Sequence, residues 1–335
     1  MKTLYFDCFS GISGDMVLGA LIDAGADPNL LMLELKKLQI EDEYDLKWKS
    51  IVKNGITSTK FDVILLNSSN QVHDHHDHSH DHEHAHSHDH SHKHEHAHSH
   101  DHEHEHSHNH SHDHEHEHTH NHEHKHSHDH THRAYKDIVE LIEAADFSIP
   151  VKETALKIFK RIGEAEGHIH GIPLEKVHFH EVGAIDSIID IIGAAILIHQ
   201  LNVDSIKASP IPVGTGRIHI DHGIYPVPAP ATLEILKGVP IEQSDIRAEL
   251  TTPTGAAIIA VLAEEFGPIP SMKISSIGYG AGTKTFKQHP NVLRVIIGNK
   301  ETRWSYTILK VKNFYTFISH KIKAAIFLAA FFNPI

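Results

Sequence analysis

Lys2 to Gly25, KTLYFDCFSGISGDMVLGALIDAG, is the stretch whose reading decides the fold. Residues 2–9 are aromatic and apolar and predict a strand. Ser10 to Gly14 is a glycine–serine turn. Met16, Val17, Leu18, Ala20, Leu21 and Ile22 then recur at helical spacing, and Gly25 closes the helix. Strand, tight turn and helix in immediate succession set the expectation of layered α and β structure.

Working outward, Pro28 opens a second helix carrying Leu30, Leu31, Leu33, Leu35 and Leu38. Residues 44–52 and 60–66 read as two strands joined at Asn54-Gly55, a strong hairpin signal. Past residue 132, helices are expected over 134–145, 151–166, 185–201 and near 231–236, with another opened by Pro253. Residues 291–297 read as a strand, and Gly278 to Lys284 as a flexible loop. The alternation predicts an α/β or α+β body, a mixed sheet with packed helices.

Residues 73–132 interrupt that pattern. They hold 31 of the chain's 40 histidines and 14 of its 44 acidic residues, with only Lys93 and Lys125 basic. Almost no large apolar side chain is present to offset the entropy of ordering the backbone, so a disordered loop is expected. Neutral imidazoles from His73, His75, His76, His78 and His80 through to His132 are good ligands for nickel, zinc, copper or cobalt. Composition points to a metal reservoir and does not name the metal; incidental metal binding by an expanded repeat is the plainer alternative. Lengthening a surface loop costs only logarithmically. The division expected is therefore 1–72 and 133–298 as two parts of one body, 73–132 as an insert, and 299–335 as a tail.

The net charge is −14, but most of it lies in the insert; the remainder carries 28 basic and 30 acidic residues. That balance argues against a nucleic-acid partner. The start shows no secretory leader, and Cys8 is the single cysteine, which excludes an internal disulfide framework and points to the cytoplasm. The late apolar run from Ile322 to Phe332 is shorter than the ~20 residues a membrane span needs, so no membrane partner is expected.

Two segments carry most of the chemistry. In DCFSGISGD, Ser10, Gly11, Ser13, Gly14 and Asp15 would present backbone N–H groups to an anion, with Asp7 and Asp15 able to hold a divalent ion. No Gly-Lys-Ser/Thr follows, so it is not a P-loop, and a plain strand-to-helix turn is an equal alternative. In HFHEVGAIDSIID, residues 178–190, His178 and His180 would share one face of a strand, and Asp186 and Asp190 one face of a helix. His178, His180 and Asp186 could converge on a metal, with His180, Glu181, Asp186 and Asp190 as acid–base groups. The alternative is surface histidines before an acidic helix start. Against it, Asp186 and Asp190 interrupt a run of isoleucines, and buried carboxylates need partners. Weaker candidates are His168 with His170, a Pro/Gly segment from Pro210 to Pro230 carrying Arg217 and His222, and Glu249 to Ala256, where two threonines precede a helix.

Five motifs in order, DCFSGISGDM (7–16), HFHEVGAIDSIID (178–190), PVPAPA (226–231), TPTG (252–255) and NVLRV (291–295), resemble the nickel-insertion proteins that complete the nickel-pincer nucleotide cofactor of lactate racemase. The likeness runs from residue 1 to about 298, and a histidine-rich insert is typical of that family. It implies a nickel chelatase-type lyase acting on a pyridinium bisthiocarboxylate mononucleotide, the metal ending on two sulfurs and a ring carbon. It also implies CTP with manganese or magnesium, and apo lactate racemase or a similar acceptor; the oligomeric state is left open. Soft sulfur ligands suit nickel. The resemblance locates the motifs without fixing each residue's task. After Gly298 the chain departs from the family's CTP-associated C-terminal domain, and 299–335 is expected to be a divergent tail, the unshifted product in a family that can use ribosomal frameshifting. Nickel storage without catalysis and metal-dependent nucleotide hydrolysis are the competing functions.

Overall fold

The computed structural model of the chain describes residues 1–66, 133–179, 184–220, 223–300 and 321–322. The expected insert, His180, Glu181, His222 and almost all of the tail lie outside the described residues. Eleven strands occur among those described: β1 Lys2–Asp7, β2 Tyr44–Lys53, β3 Ile56–Leu65, β4 Ser205–Ala208, β5 Ile211–Pro212, β6 Arg217–Ile220, β7 Gly223–Pro226, β8 Ile241–Glu242, β9 Glu265–Phe266, β10 Lys273–Ala281 and β11 Val292–Asn299. The helices are α1 Gly14–Asp23, α2 Pro28–Leu35, α3 Tyr135–Ala144, α4 Ile149–His170, α5 Ile185–Leu201, α6 Pro230–Ile235 and α7 Pro253–Leu262. None is long and apolar enough to cross a membrane.

Seven strands form one mixed sheet in the order β2-β3-β10-β11-β1-β4-β9. The α/β expectation is met, and β1 lies inside the sheet, antiparallel to β11 and parallel to β4. Leu4, Phe6 and Cys8 alternate into the main core with Leu293, Val295 and Ile297 of β11. Tyr5 and Asp7 point to the other face, where Asp7 pairs in register with Arg294 and accepts from its Nε at 2.8 Å. The core continues through α1, α4, α5 and α7, whose buried isoleucines and leucines are contiguous with the sheet's.

Two sequence expectations are corrected. The segment read as a loop at Gly278 is strand β10 as far as Ala281. Its glycines mark close approach: a Cβ on Gly278 would lie 2.2 Å from the Ala20 carbonyl oxygen, and one on Gly280 1.8 Å from that of Met16. Glycine there lets α1 lie directly on the sheet. Second, α4 runs on to His170 and ends at Gly171, which takes the left-handed conformation at φ 66°. His168 and His170 therefore sit in a last helical turn, where His170 Nε2 lies 3.2 Å from Glu166.

Candidate functional site

The turn after β1 is built by close backbone contact with the start of α7. Ile12 N donates to Leu250 O at 3.1 Å, and Thr252 N to Ile12 O at 3.1 Å. A Cβ on Gly255 would come 2.1 Å from the Ile12 oxygen, and one on Gly11, at φ +84°, 2.0 Å from the Leu250 oxygen. Thr252 caps α7 by accepting from Gly255 N at 3.2 Å. These contacts lock two of the sequence motifs, DCFSGISGDM and TPTG, side by side.

A cavity of about 370 Å³ opens where they meet. Ser13, Gly14 and Asp15 line it from the start of α1, and Asp186, Ser187 and Asp190 from the start of α5. Thr252, Pro253 and Thr254 come from the start of α7, preceded by Glu249. Lys60 to Val63 of β3 and Thr283 complete the walls.

Electrostatics divide the cavity. Lys60 Nζ is 2.7 Å from Asp15 and 2.9 Å from Asp62. Burial works against its charge, but Asp15 and Asp62 outweigh that and raise its pKa. Asp15 also accepts from the Ser13 hydroxyl. Asp186 accepts from Ser187 N at 2.8 Å; burial raises its pKa, the backbone hydrogen bonds oppose this, and Asp15 adds to the rise. Asp190, one turn further, is half-buried, and its Oδ1 is buried with no hydrogen-bond partner among the described residues. Burial, then Asp15 and Asp186, push its pKa well up against the opposing pull of Lys60. It packs on bare backbone, since a Cβ on Gly14 would sit 2.3 Å from Asp190 Oδ2. The result is a carboxyl group that keeps its proton well above the usual carboxylate range, an arrangement suited to holding or moving a proton.

Among the sequence candidates, Ser13, Gly14, Asp15, Asp186 and Asp190 are brought together. Ser10 and Gly11 do not line the cavity: the Ser10 hydroxyl is buried against His289 Nε2 and the Pro290 carbonyl, fixing the loop. Asp7 is held by Arg294, while Asp15 is held by Lys60. His178 is exposed, in an isolated bridge to Ala134, and is not a lining residue. Arg217 likewise does not line the cavity. Among the described residues no group of three or more His, Cys, Asp or Glu is placed to hold a metal ion. A cation in this cavity would thus take one or two carboxylates and fill its shell with ligand oxygens or water, the habit of magnesium and manganese. Sequence reasoning missed Lys60 and Asp62, although Lys-x-Asp within an alternating strand was a signal that both share one face.

The family model for nickel insertion proteins matches residues 4–313, extending past Gly298. The chain is 46% identical over 303 residues to the pyridinium-3,5-bisthiocarboxylic acid mononucleotide nickel insertion protein of Geobacillus kaustophilus, covering 90% of this chain and 61% of the relative. Relatives of the same name from Clostridium kluyveri and Clostridium acetobutylicum are 45% and 47% identical over 301 and 302 residues, each covering 90% of this chain and 63% and 65% of the relative. The chain thus spans less than two thirds of the length of these relatives. No solved structure matches it.

Proposed function

This chain belongs to the nickel insertion protein family, and on that premise we propose that it inserts nickel into pyridinium-3,5-bisthiocarboxylic acid mononucleotide, forming the nickel-pincer cofactor of lactate racemase in a CTP-dependent reaction. The observation that carries this reading is the convergence of three distant motifs on one cavity, with the Oδ1 of Asp190 buried in its wall and unpartnered among the described residues. Asp15 and Asp186 are the groups to bind a cation, whether the incoming nickel or the manganese or magnesium that accompanies CTP. Asp190 is suited to exchange the proton that a ring carbon gives up as its bond to the metal forms. His178 and His180 are retained as candidate ligands, and His180 and Glu181 as acid–base groups at the approach to α5. The histidine tract serves as the nickel store. Its imidazoles and the cavity's oxygens both hold nickel less firmly than paired sulfurs, so transfer runs downhill to the substrate.

The test is to incubate the chain with nickel, CTP, manganese and the mononucleotide, then assay activation of apo lactate racemase. Activation is expected, and its loss in Asp186→Ala with bulk nickel binding unchanged. Nickel binding without activation points to storage, the reading that the composition of residues 73–132 favours, or to a CTP-associated domain in the part of the relatives that this chain does not span. Nucleotide breakdown without metal transfer assigns it to hydrolysis.

A further inference from the structure

Among the described residues, two ammonium groups at the edge of the cavity form no ion pair. Lys53, the last residue of β2, is held by the carbonyls of Thr283 at 3.3 Å and Lys284 at 3.1 Å and by the Thr285 hydroxyl at 3.0 Å. Lys284 reaches the other way, donating to the Glu249 carbonyl at 3.1 Å. Thr283 and Glu249 are both lining residues, so the two cations stand at the rim. Among the described residues neither forms an ion pair, whereas Lys60 inside the cavity is paired twice. Burial and then the like charge of Lys60 lower the pKa of Lys53.

The rim is also held in place. Asn54 Nδ2 donates to the carbonyls of Phe286 and Lys287, each at 3.3 Å, and Asn291 Nδ2 to that of Lys284 at 2.9 Å. An ammonium has three donors. Lys284 spends one on Glu249, which leaves two for a ligand, whereas Lys53 spends all three on the rim and contributes charge alone. Among the other lining residues, Asp15 and Asp186 form an acidic floor. A dianionic group is repelled by that floor and attracted to the rim, so charge orients any ligand carrying one.

We propose that Lys284 and the Thr283 hydroxyl, with the positive charge of Lys53 behind them, form a phosphate-monoester subsite that anchors the mononucleotide by its phosphate and turns its ring toward the acidic floor. This rests on the reading of the cavity as the mononucleotide site. A phosphate of CTP offers the same chemistry, so the experiment separates the two sources.

Equilibrium binding is measured without nickel for the mononucleotide, for its dephosphorylated nucleoside and for CTP. The proteins are the wild-type chain, Lys284→Met, Lys53→Met and Lys53→Arg. Lys284 is exposed, so its replacement leaves the fold intact. Lys284→Met is expected to weaken mononucleotide binding about tenfold, roughly the loss of one charge-assisted hydrogen bond, and to leave nucleoside binding unchanged. Lys53→Met should act in the same direction and Lys53→Arg should recover most of the loss. Unchanged mononucleotide affinity, or equal weakening of the nucleoside, overturns the subsite. Weakening confined to CTP overturns the mononucleotide assignment and hands the rim to the triphosphate. If the wild-type chain binds neither mononucleotide nor nucleoside, the reading of the cavity itself falls and the subsite with it.

Discussion

At the scale of single residues, Asp190 carries a cost that depends on pH. Its Oδ1 is buried and unpartnered among the described residues, and its folded pKa lies well above the usual value near 4. Below pH ~4 the group is protonated in both folded and unfolded chains and has no effect on their balance. Above it, the unfolded chain releases the proton that the folded chain keeps, and folding loses stability until the raised pKa is passed. Asp190→Asn removes that titration while keeping the shape. The variant should match the wild type near pH 4 and become the more stable as pH rises, the gap widening by up to about 1.4 kcal/mol per pH unit. Urea denaturation at pH 4, 5.5 and 7 checks this, and a constant gap across pH would refute it. The same variant should lose nickel insertion, the usual exchange of stability for a strained site.

At the scale of elements, the site depends on α1 lying directly on β10. Gly280→Ala places a Cβ 1.8 Å from the Met16 carbonyl, on the turn of α1 that follows Asp15. The helix must lift, at a cost of about 1–3 kcal/mol from overpacking, and the Asp15–Lys60 pair should loosen with it. Gly267→Ala, where an added Cβ meets nothing within 4 Å, is the matched control and should be near neutral. Comparing urea midpoints of the two variants decides. The contrast also explains what the sequence could tell. Helix α5 was legible at its observed bounds because its isoleucines are dense and continuous, and Asp186 and Asp190 stood out as carboxylates inside that run. Strand β10 was not legible, because glycines demanded by a neighbouring helix look locally like those of a loop. Lys53 and Lys60 were missed for a related reason, and Lys284 stood out only as the cation of a glycine loop. A lone lysine carries no periodicity, and these three meet only because β3 pairs with β10 across a long stretch of chain.

At the scale of the molecule, the question is how the body tolerates residues 67–132 between β3 and α3. Glu43 holds both ends: its carbonyl accepts from Leu66 N at 3.0 Å, and its carboxylate from Arg133 Nη2 at 2.5 Å. Tyr135 N donates to Val177 O at 3.0 Å, fixing the chain where it re-enters. Two ends tied to one residue need only a short connection. Replacing the 66 residues of 67–132 with about six of Gly and Ser shortens the loop some tenfold and should stabilise the body by on the order of 2 kcal/mol. Nickel bound per chain should fall sharply while binding of the mononucleotide is kept. Glu43→Ala in the full chain should do the opposite, costing about 1–3 kcal/mol by stranding the half-buried Arg133 and leaving nickel capacity alone. Denaturation curves and metal content of the two proteins separate the store from the body. A shortened chain that fails to fold would show that the insert is part of the body's framework and that Glu43 closes nothing.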